Sequence, residues 1–267
     1  MTAGPHLVLV GAGHTHVEVL RRLGEKPLCG LRITLVTKVA AAAYSGMLPG
    51  VIAGHYELED LQIPVAPLAA HAGAGCLRGE AAGLDPAARR LSLASGEVLG
   101  YDLLSLDIGS TPDLAGAPAL GDRLVPVKPL ESFVAAWDRA EARHLVRTGG
   151  RIAIAGGGVA GVEMALALDH RLTASGRRAA SSGFEAGPAI LPALPGAAQR
   201  RLAGICAARG IVLRTDSRLG EAQAQGFDLV LWTTGAAAAP WIAASGIAVD
   251  ARGFAAVGAD LRSLSHS

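Results

Sequence analysis

Glycine-rich turns of one kind occur twice in this chain, and they constrain its fold more than any other feature. Each turn follows a short apolar run and precedes a stretch with helical periodicity: LVLV leads to Gly11 and Gly13, and RIAIA leads to Gly156, Gly158 and Gly161. A buried parallel strand is typically such a run, and glycines at its end let the backbone approach a diphosphate, which the next helix start stabilises. Two such turns in separate halves predict two dinucleotide-binding units.

The first turn belongs to a βαβ unit. The helical pattern of residues 17–23 is followed by a loop and by a second apolar strand at residues 31–37. His16 stands where the third glycine of G-x-G-x-x-G is usual, so we expect the helix to pack a little farther from the strand. A carboxylate usually binds the ribose at the end of the second strand, but the chain has Thr37 and Lys38 there. Thr37 can still bond a ribose, whereas Lys38 either tolerates a phosphate or is simply a solvated lysine.

The second turn has the complete fingerprint, and Glu185 follows Gly161 by 24 residues. That spacing is typical of the acid that binds the ribose 2′-hydroxyl of NAD. The residues before Glu185, AASSGF, have little β-forming character, so a loop carboxylate is the alternative interpretation. The apolar run FDLVLWTTG then completes a second parallel unit with a turn at Gly235.

The stretch between the two units predicts smaller elements. Residues 57–72 have the pattern of a helix interrupted by Pro64 and Pro67, residues 75–108 that of an antiparallel meander, and residues 130–146 that of a helix. A Pro- and Gly-containing linker at residues 114–121 predicts a domain boundary near residue 120. The predicted domains are therefore residues 1–120, 121–235 and 236–267, the last a return to the first domain.

Composition excludes several function classes. The chain has 24 Lys and Arg against 23 Asp and Glu, so no nucleic-acid partner is implied. Three cysteines without metal-ligand spacing favour a reducing, cytoplasmic location, and we expect no transmembrane segment and no signal peptide. The His-Thr-His sequence at residues 14–16 offers only two ligands, so no metal site is predicted.

The order of motifs resembles the pyridine nucleotide-disulfide oxidoreductase superfamily. The sequences GAGHTHV, YSGMLPG, LDIGSTP, PVKP and GGGVAGVE are most similar to its FAD-dependent NADH dehydrogenase-like branch, related to type II NADH dehydrogenases and found also fused to selenide, water dikinase. The resemblance implies an α/β fold with two Rossmann-like domains, the NAD(P) domain inserted in the FAD domain, each with a parallel sheet and a small antiparallel meander.

The resemblance also implies binding positions for FAD. The positions at the FAD diphosphate and its glycine turn are Gly11, Gly13, His14, Thr15 and His16. The backbone at Ala81 would lie near the adenine, next to the ribose positions Thr37 and Lys38 inferred above from the strand end, and Gly109 ends a further strand at the site. The flavin would be lined by Ser45, Gly46, Leu48 and Pro49. Without the resemblance, the YSGMLPG loop is either such an apolar wall or a surface turn. Lys128 is a candidate partner of the flavin or its phosphates.

For NAD(P)H, the resemblance implies the positions Gly156, Gly158, Val159, Gly161, Glu185 and Gly235. Glu163 matches a family position near the nicotinamide and flavin and is the candidate catalytic residue. An ordinary glutamate stabilised by the helix dipole is the alternative.

The activity implied is hydride transfer from NAD(P)H to FAD, with electrons passed to a quinone or another small acceptor. Glu185 favours NADH. None of Cys29, Cys76 and Cys206 forms the redox pair of the disulfide reductases, so disulfide reduction is not expected. The family's later Gly-Asp motif and C-terminal interface domain are absent, which predicts a C-terminally truncated chain.

Two alternatives stay open: a non-catalytic, degenerate nucleotide-binding module, and the N-terminal part of a selenium-related fusion. The resemblance is compatible with a homodimer or a C-terminal partner domain, and with a cytoplasmic protein or one peripheral at the inner face of the membrane.

Overall fold

The structure is a computed structural model that describes residues 4–138, 150–174, 176 and 181–266. The chain divides into two compact units. Unit 1 comprises Met1–Tyr44, Gln62–Thr111 and Ala237–Ser267, and unit 2 comprises Ser45–Leu61 and Pro112–Ala236. The chain therefore leaves unit 1 twice and returns to it each time.

The elements are numbered along the chain. The strands are β1 (His6–Val10), β2 (Arg32–Thr37), β3 (Ala41–Ala43), β4 (Gln62–Pro64), β5 (Gly75–Arg78), β6 (Ala81–Asp85), β7 (Arg90–Leu93), β8 (Val98–Gly100), β9 (Leu103–Leu106), β10 (Leu124–Pro126), β11 (Ile152–Ala155), β12 (Ser181–Phe184), β13 (Val212–Arg214) and β14 (Leu229–Trp232). The α-helices are α1 (His14–Glu25), α2 (Leu48–Ala53), α3 (Val65–His71), α4 (Leu130–Asp138), α5 (Val159–Ala174), α6 (Gly196–Ala208), α7 (Glu221–Ala224) and α8 (Pro240–Ala244). Short 3-10 helices lie at Ser45–Met47, Leu58–Leu61 and Gly121–Arg123.

Unit 1 is built on a parallel sheet with the strand order β5-β2-β1-β9. Because side chains alternate along a strand, β1 sends Leu9 to one face and Val8 and Val10 to the other. Leu9 packs in a cluster with Leu20 of α1 and Val65 of α3. The opposite face packs against β7 of the antiparallel sheet β6-β7-β8. The sheet is thus covered by helices on one face and by the meander on the other.

Unit 2 contains the parallel sheet β10-β14-β11-β12-β13. All four residues of β11 and all four of β14 are buried, as expected for central strands covered on both faces. One face packs against α2, α4, α5 and α6 in a large apolar cluster. The other face packs against residues 219–227, including α7.

The predicted α/β class with two Rossmann-like parallel sheets is confirmed. One detail needs correction: the antiparallel meander lies in unit 1, and the described part of unit 2 contains none. The reason is that only residues 215–228 connect β13 to β14, and they form α7 with its flanking turns.

One further expectation differs from the structure, and another is confirmed within the described residues. Residues 57–72 are not one interrupted helix, because they form a 3-10 helix, then β4, then α3. Pro64 ends the strand and Pro67 lies in the first turn of α3, where a missing N–H costs no hydrogen bond. The helix predicted at residues 130–146 is present as α4, and its predicted part beyond residue 138 lies outside the described residues.

The two units also divide the chain differently from the predicted domains. Residues 45–61 were predicted to lie in the first domain, but they belong to unit 2. The reason is that Leu48, Val51 and Ile52 are buried in the apolar cluster of unit 2. The functional assignment of the two domains remains a prediction.

Candidate functional site

The first candidate site is the turn between β1 and α1 in unit 1. Gly11 has φ +91°, and a Cβ there would overlap the backbone of Asp107, so only glycine fits. A Cβ on Gly13 would overlap the Asp107 carboxylate. The N–H of Gly13 donates to the carbonyl oxygen of Asp107 at 3.2 Å. Both glycines are therefore required by the close approach of the residue that follows β9.

His16 occupies the space that a third glycine would leave empty. Its side chain is buried, with 1% exposure, and its Nδ1 lies 2.7 Å from the carbonyl oxygen of Gly11. Because a carbonyl only accepts, Nδ1 carries the proton, and in the neutral ring Nε2 accepts from the Ser105 hydroxyl at 2.8 Å. Burial lowers the pKa of His16 below its ordinary value of 6.5, although the Gly11 bond and the charge of Asp107 act in the opposite direction.

The ring of His16 therefore joins the glycine turn, α1 and β9, and the wider spacing expected between helix and strand remains a prediction. Asp107 completes this arrangement by accepting the backbone N–H of His16 at 3.0 Å. Both ring nitrogens of His16 already have protein partners, and the side chain is buried. These observations do not favour the predicted contact of His16 with a cofactor, which remains a prediction. Asp107 was missing from the predicted site, although its position directly after an apolar strand was a usable signal.

The start of α1 is open to solvent. His14 and Thr15 are exposed, and among the described residues their backbone N–H groups have no hydrogen-bond acceptor. Such free N–H groups at the positive end of a helix form a ready site for an anion. The ring of Tyr44 lies 4.9 Å from the ring of His14, measured between centroids. Tyr44 is the first residue of the YSGMLPG loop, but it is not among the site residues predicted from that loop.

Thr37 and Lys38 lie at the carboxyl end of β2, at the same edge of the sheet as the first glycine turn. Thr37 is 3% exposed, and its hydroxyl accepts the N–H of Val39 at 3.2 Å. Its side chain therefore stabilises the local turn. Lys38 is exposed and its ammonium lies 3.5 Å from the Glu80 carboxylate, next to Ala81 at the start of β6. Glu80 is the carboxylate paired with Lys38 at this edge.

A second glycine turn of unit 1 follows β9. Gly109 has φ +71° and no protein atom within 4 Å of the position of a Cβ, so its conformation rather than crowding favours glycine. Two residues later, Thr111 and Ala237 exchange backbone hydrogen bonds of 2.9 Å. These bonds hold the outgoing and returning segments of unit 1 together.

The second candidate site is the turn between β11 and α5 in unit 2, where the three glycines differ in what they do. Gly156 has φ +111°, and its N–H donates to the carbonyl oxygen of Phe184 at 2.8 Å. A Cβ on Gly161 would overlap the carbonyl oxygen of Gly156, so this glycine permits close packing of helix and strand. A Cβ on Gly158 would meet no protein atom within 4 Å.

The space beside Gly158 is therefore open, and it lies at the start of a 16-residue helix. Val159 is 54% exposed, and its N–H group has no acceptor among the described residues. An anion can approach the backbone here, as at the start of α1.

Glu185 lies where its spacing predicted, directly after β12. Its Oε2 accepts the N–H of Gly157 at 2.7 Å and its Oε1 accepts the N–H of Gly187 at 2.8 Å. The carboxylate is thus held beside the glycine turn by two charge-assisted hydrogen bonds.

Lys128, Gly235 and Gly156 follow the neighbouring parallel strands β10, β14 and β11, so the structure brings their positions to one sheet edge. Gly235 has φ +64°, and a Cβ there would lie 2.6 Å from the Cβ of Asp113. Glu163 is exposed on α5, two residues after Gly161, and has no hydrogen-bond partner among the described residues. Its carboxylate is therefore available to a ligand.

The predicted flavin-lining residues lie in unit 2. Ser45 and Gly46 are exposed and Pro49 is half-buried, whereas the side chain of Leu48 is 2% exposed and packs in the apolar cluster of that unit. A flavin contact through the Leu48 side chain is not favoured by this burial. The role of all four residues remains a prediction.

Comparison with known proteins identifies the family. The sequence matches the family described as pyridine nucleotide-disulphide oxidoreductase over residues 5–266. The chain belongs to this family. Its members are NAD(P)H-dependent flavin oxidoreductases with FAD and NAD(P)H as cofactors, and the predicted family is confirmed.

The chain shares low sequence identity with individual relatives. It is 25% identical over 266 residues to demethylphylloquinone reductase NdbB of Synechocystis sp., covering 90% of this chain and 64% of that protein. Its fold is similar to that of the water-forming NADH oxidase from Lactobacillus brevis (TM-score 0.74, 16% identity, 93% of this chain and 58% of that one). It is also similar to NDH2 from Plasmodium falciparum (TM-score 0.71, 12% identity, 89% and 56%). The chain thus spans less than two thirds of the length of these relatives.

Among the residues that the structure describes, no helix is long and apolar enough to cross a membrane. No group of three or more histidine, cysteine or acidic side chains in the same residues is arranged to hold a metal ion.

Proposed function

We propose that this chain binds FAD through unit 1 and NAD(P)H through unit 2, and that it passes reducing equivalents from NAD(P)H to a quinone or another small acceptor. The observation that carries the proposal is the repeated combination of a glycine turn and an exposed helix start whose first N–H groups have no acceptor among the described residues. A dinucleotide diphosphate is the ligand that this combination fits.

The residues of unit 1 support FAD in a specific way. The N–H groups of His14 and Thr15 would donate to the diphosphate, and Gly11 and Gly13 keep side chains out of the turn. The network of His16 and Asp107 holds this turn in place. The chemistry supplied by bound FAD is hydride acceptance from NAD(P)H and release of electrons to the acceptor.

The residues of unit 2 support a nicotinamide dinucleotide. Open space beside Gly158 leaves room for the diphosphate, and the N–H of Val159 would donate to it. The Glu185 carboxylate, held by two N–H groups, would accept the ribose hydroxyls and repel a 2′-phosphate, which favours NADH over NADPH. Glu163 would orient the carboxamide of the nicotinamide, and Lys128 would place a positive charge at the same sheet edge as the glycine turn.

The acceptor is proposed from similarity. The Synechocystis relative is named as a reductase of demethylphylloquinone, and a quinone is also consistent with the absence of a paired redox cysteine in this sequence. Hydride transfer itself requires positioned cofactors and a dry site rather than an acid–base pair of side chains.

A matched pair of variants tests the binding assignment. Asp in the first turn of a helix stabilises the helix, yet its charge would repel a diphosphate bound there. Thr15→Asp should therefore keep the protein folded and lower FAD affinity at least about tenfold, and Val159→Asp should do the same for NADH. Each variant is the control for the other, because each should affect one cofactor only.

The readouts are flavin absorbance retained after gel filtration, NADH binding by calorimetry, and NADH oxidation with a soluble quinone. If the wild-type chain keeps no flavin after reconstitution and does not oxidise NADH, the enzyme proposal is wrong for this chain. A chain that binds NADH but no FAD would instead be a nucleotide-binding module.

A further inference from the structure

Helix α2 is an integral part of the core of unit 2, although it is only six residues long. Leu48, Val51 and Ile52 are 2%, 3% and 0% exposed, and they pack in one cluster with Val162 and Leu168 of α5. A helix of this length is not stable by itself. The position of α2 is therefore set by what it contacts, and α5 is a main contact.

Arg171 of α5 makes the polar part of this contact. Its Nη1 donates to the carbonyl oxygens of Val51 at 3.0 Å and Ile52 at 3.2 Å, in the last turn of α2. The last carbonyls of a helix have no partners within it, and a cation there also interacts favourably with the helix dipole. The chain then turns at Gly54, which has φ +85° and lies beside the same guanidinium group.

The next residues add two ring contacts. The ring of His55 lies 4.7 Å from the ring of His170, the neighbour of Arg171 on α5. The ring of Tyr56 covers Gly50, where a Cβ would lie 2.5 Å from Tyr56 Cδ2. The C-terminal end of α2 and the residues after it are thus held against α5 by hydrogen bonds, a tilted contact of two histidine rings and apolar packing.

We propose that Arg171 is a positioning residue, which fixes the segment carrying Ser45, Gly46 and Pro49 to α5, the helix proposed to bind the nicotinamide dinucleotide. The proposal rests on the proposed function, because it takes this segment to line the flavin of the bound FAD, as the family resemblance implies. Arg171 lies near the end of α5 opposite the glycine turn, so it contacts neither diphosphate site. Its removal should therefore change the rate of hydride transfer at saturating NADH more than the affinity for NADH.

Arg171→Met removes the two hydrogen bonds, and Arg171→Lys keeps the charge with a single donor group. Arg209→Met is a matched control, because Arg209 pairs with Asp169 of the same helix at 2.9 Å and does not touch α2. In stopped-flow reduction of the reconstituted protein, Arg171→Met should lower the limiting rate about tenfold with the NADH dissociation constant within twofold. Arg171→Lys should lie between wild type and Arg171→Met, and Arg209→Met should match wild type.

Amide hydrogen exchange gives a readout that needs no flavin. NADH should slow exchange of residues 48–55 in the wild type and in Arg209→Met, and should fail to do so in Arg171→Met. A wild-type limiting rate together with wild-type protection in Arg171→Met would overturn the proposal. Equal loss of thermal stability in both Met variants without a rate difference would also overturn it, since that is a purely structural role.

If the wild type binds no FAD, the proposed function is wrong, and the exchange comparison still decides whether Arg171 links α2 to the nucleotide site. If Arg171→Met does not fold, Arg171→Lys takes its place in the same comparison. A wild-type exchange pattern in Arg171→Lys would then count against the proposal.

Discussion

Two glycines of the second turn, Gly161 and Gly158, should respond differently to the same substitution. Gly161→Ala places a methyl group 3.0 Å from both the carbonyl carbon of Gly156 and the Thr233 hydroxyl, and into the Gly156 carbonyl oxygen. Backbone atoms cannot swing away as a side chain can, so helix and strand must separate. Overpacking of this kind costs about 3 kcal/mol. For a chain of this size, that loss lowers the melting temperature by roughly 6–12 °C.

Gly158→Ala meets no protein atom within 4 Å. Its carbonyl accepts the first bond of α5, from Val162 N–H, and alanine at such a position costs less than about 1 kcal/mol relative to glycine. The melting temperature should therefore stay within about 4 °C of wild type. The methyl group would, however, enter the space proposed for the diphosphate, so NADH affinity should fall about tenfold or more.

Circular dichroism gives the melting temperatures, with ligand concentrations kept the same for all three proteins, and calorimetry gives the NADH dissociation constants. The wild-type chain is the common reference. A wild-type melting temperature for Gly161→Ala would refute the role of Gly161 in helix–strand packing. Unchanged NADH affinity in a folded Gly158→Ala would refute the position of the diphosphate.

Other substitutions test single side chains. Glu185→Gln keeps one acceptor oxygen but removes the negative charge that would repel a 2′-phosphate. The ratio of kcat/KM for NADPH to kcat/KM for NADH should therefore rise at least about tenfold in steady-state assays. An unchanged ratio would contradict the role of Glu185. Because burial lowers the pKa of His16 below 6.5, the folded state binds fewer protons than the unfolded state. Stability should therefore fall as pH drops below about 6.5, and His16→Gln should flatten that dependence in urea titrations between pH 7 and 5. Asp107→Ala leaves the His16 backbone N–H without its acceptor and should lower the free energy of unfolding in urea by about 1–3 kcal/mol. Asp107→Asn keeps an acceptor oxygen and should lower it less. Equal losses in the two variants would contradict the hydrogen-bond assignment.

Local sequence patterns correctly predict the strands and glycine turns, which the backbone itself forms. The apolar runs before Gly11 and Gly156 are central strands, because four or five consecutive apolar residues suit a sheet covered on both faces. Glu185 also lies where its spacing predicted. The strand before it, SSGF, has poor intrinsic preference but pairs with β11 on one side and β13 on the other, so its neighbours determine its conformation.

Local sequence patterns do not predict the features that depend on packing between residues far apart in the chain. Nothing local indicates that Leu48 packs in unit 2, because its cluster includes Ile152, Val162 and Leu168, which lie more than a hundred residues away in the sequence. Thr37 was a reasonable ribose partner by position, but its hydroxyl bonds the backbone two residues on. The role of Asp107 depends on β9 lying beside β1, which is a property of the sheet order rather than of the local sequence.

The histidine at the third glycine position has a consequence for the thermodynamics of cofactor binding. Glycine-rich loops have the largest backbone freedom of any sequence, and a ligand that orders them loses part of its binding free energy to that ordering. Here one buried imidazole bonds both the Gly11 carbonyl and Ser105 on another strand. The turn is thereby ordered before any ligand arrives, and the entropy loss is met during folding rather than during binding.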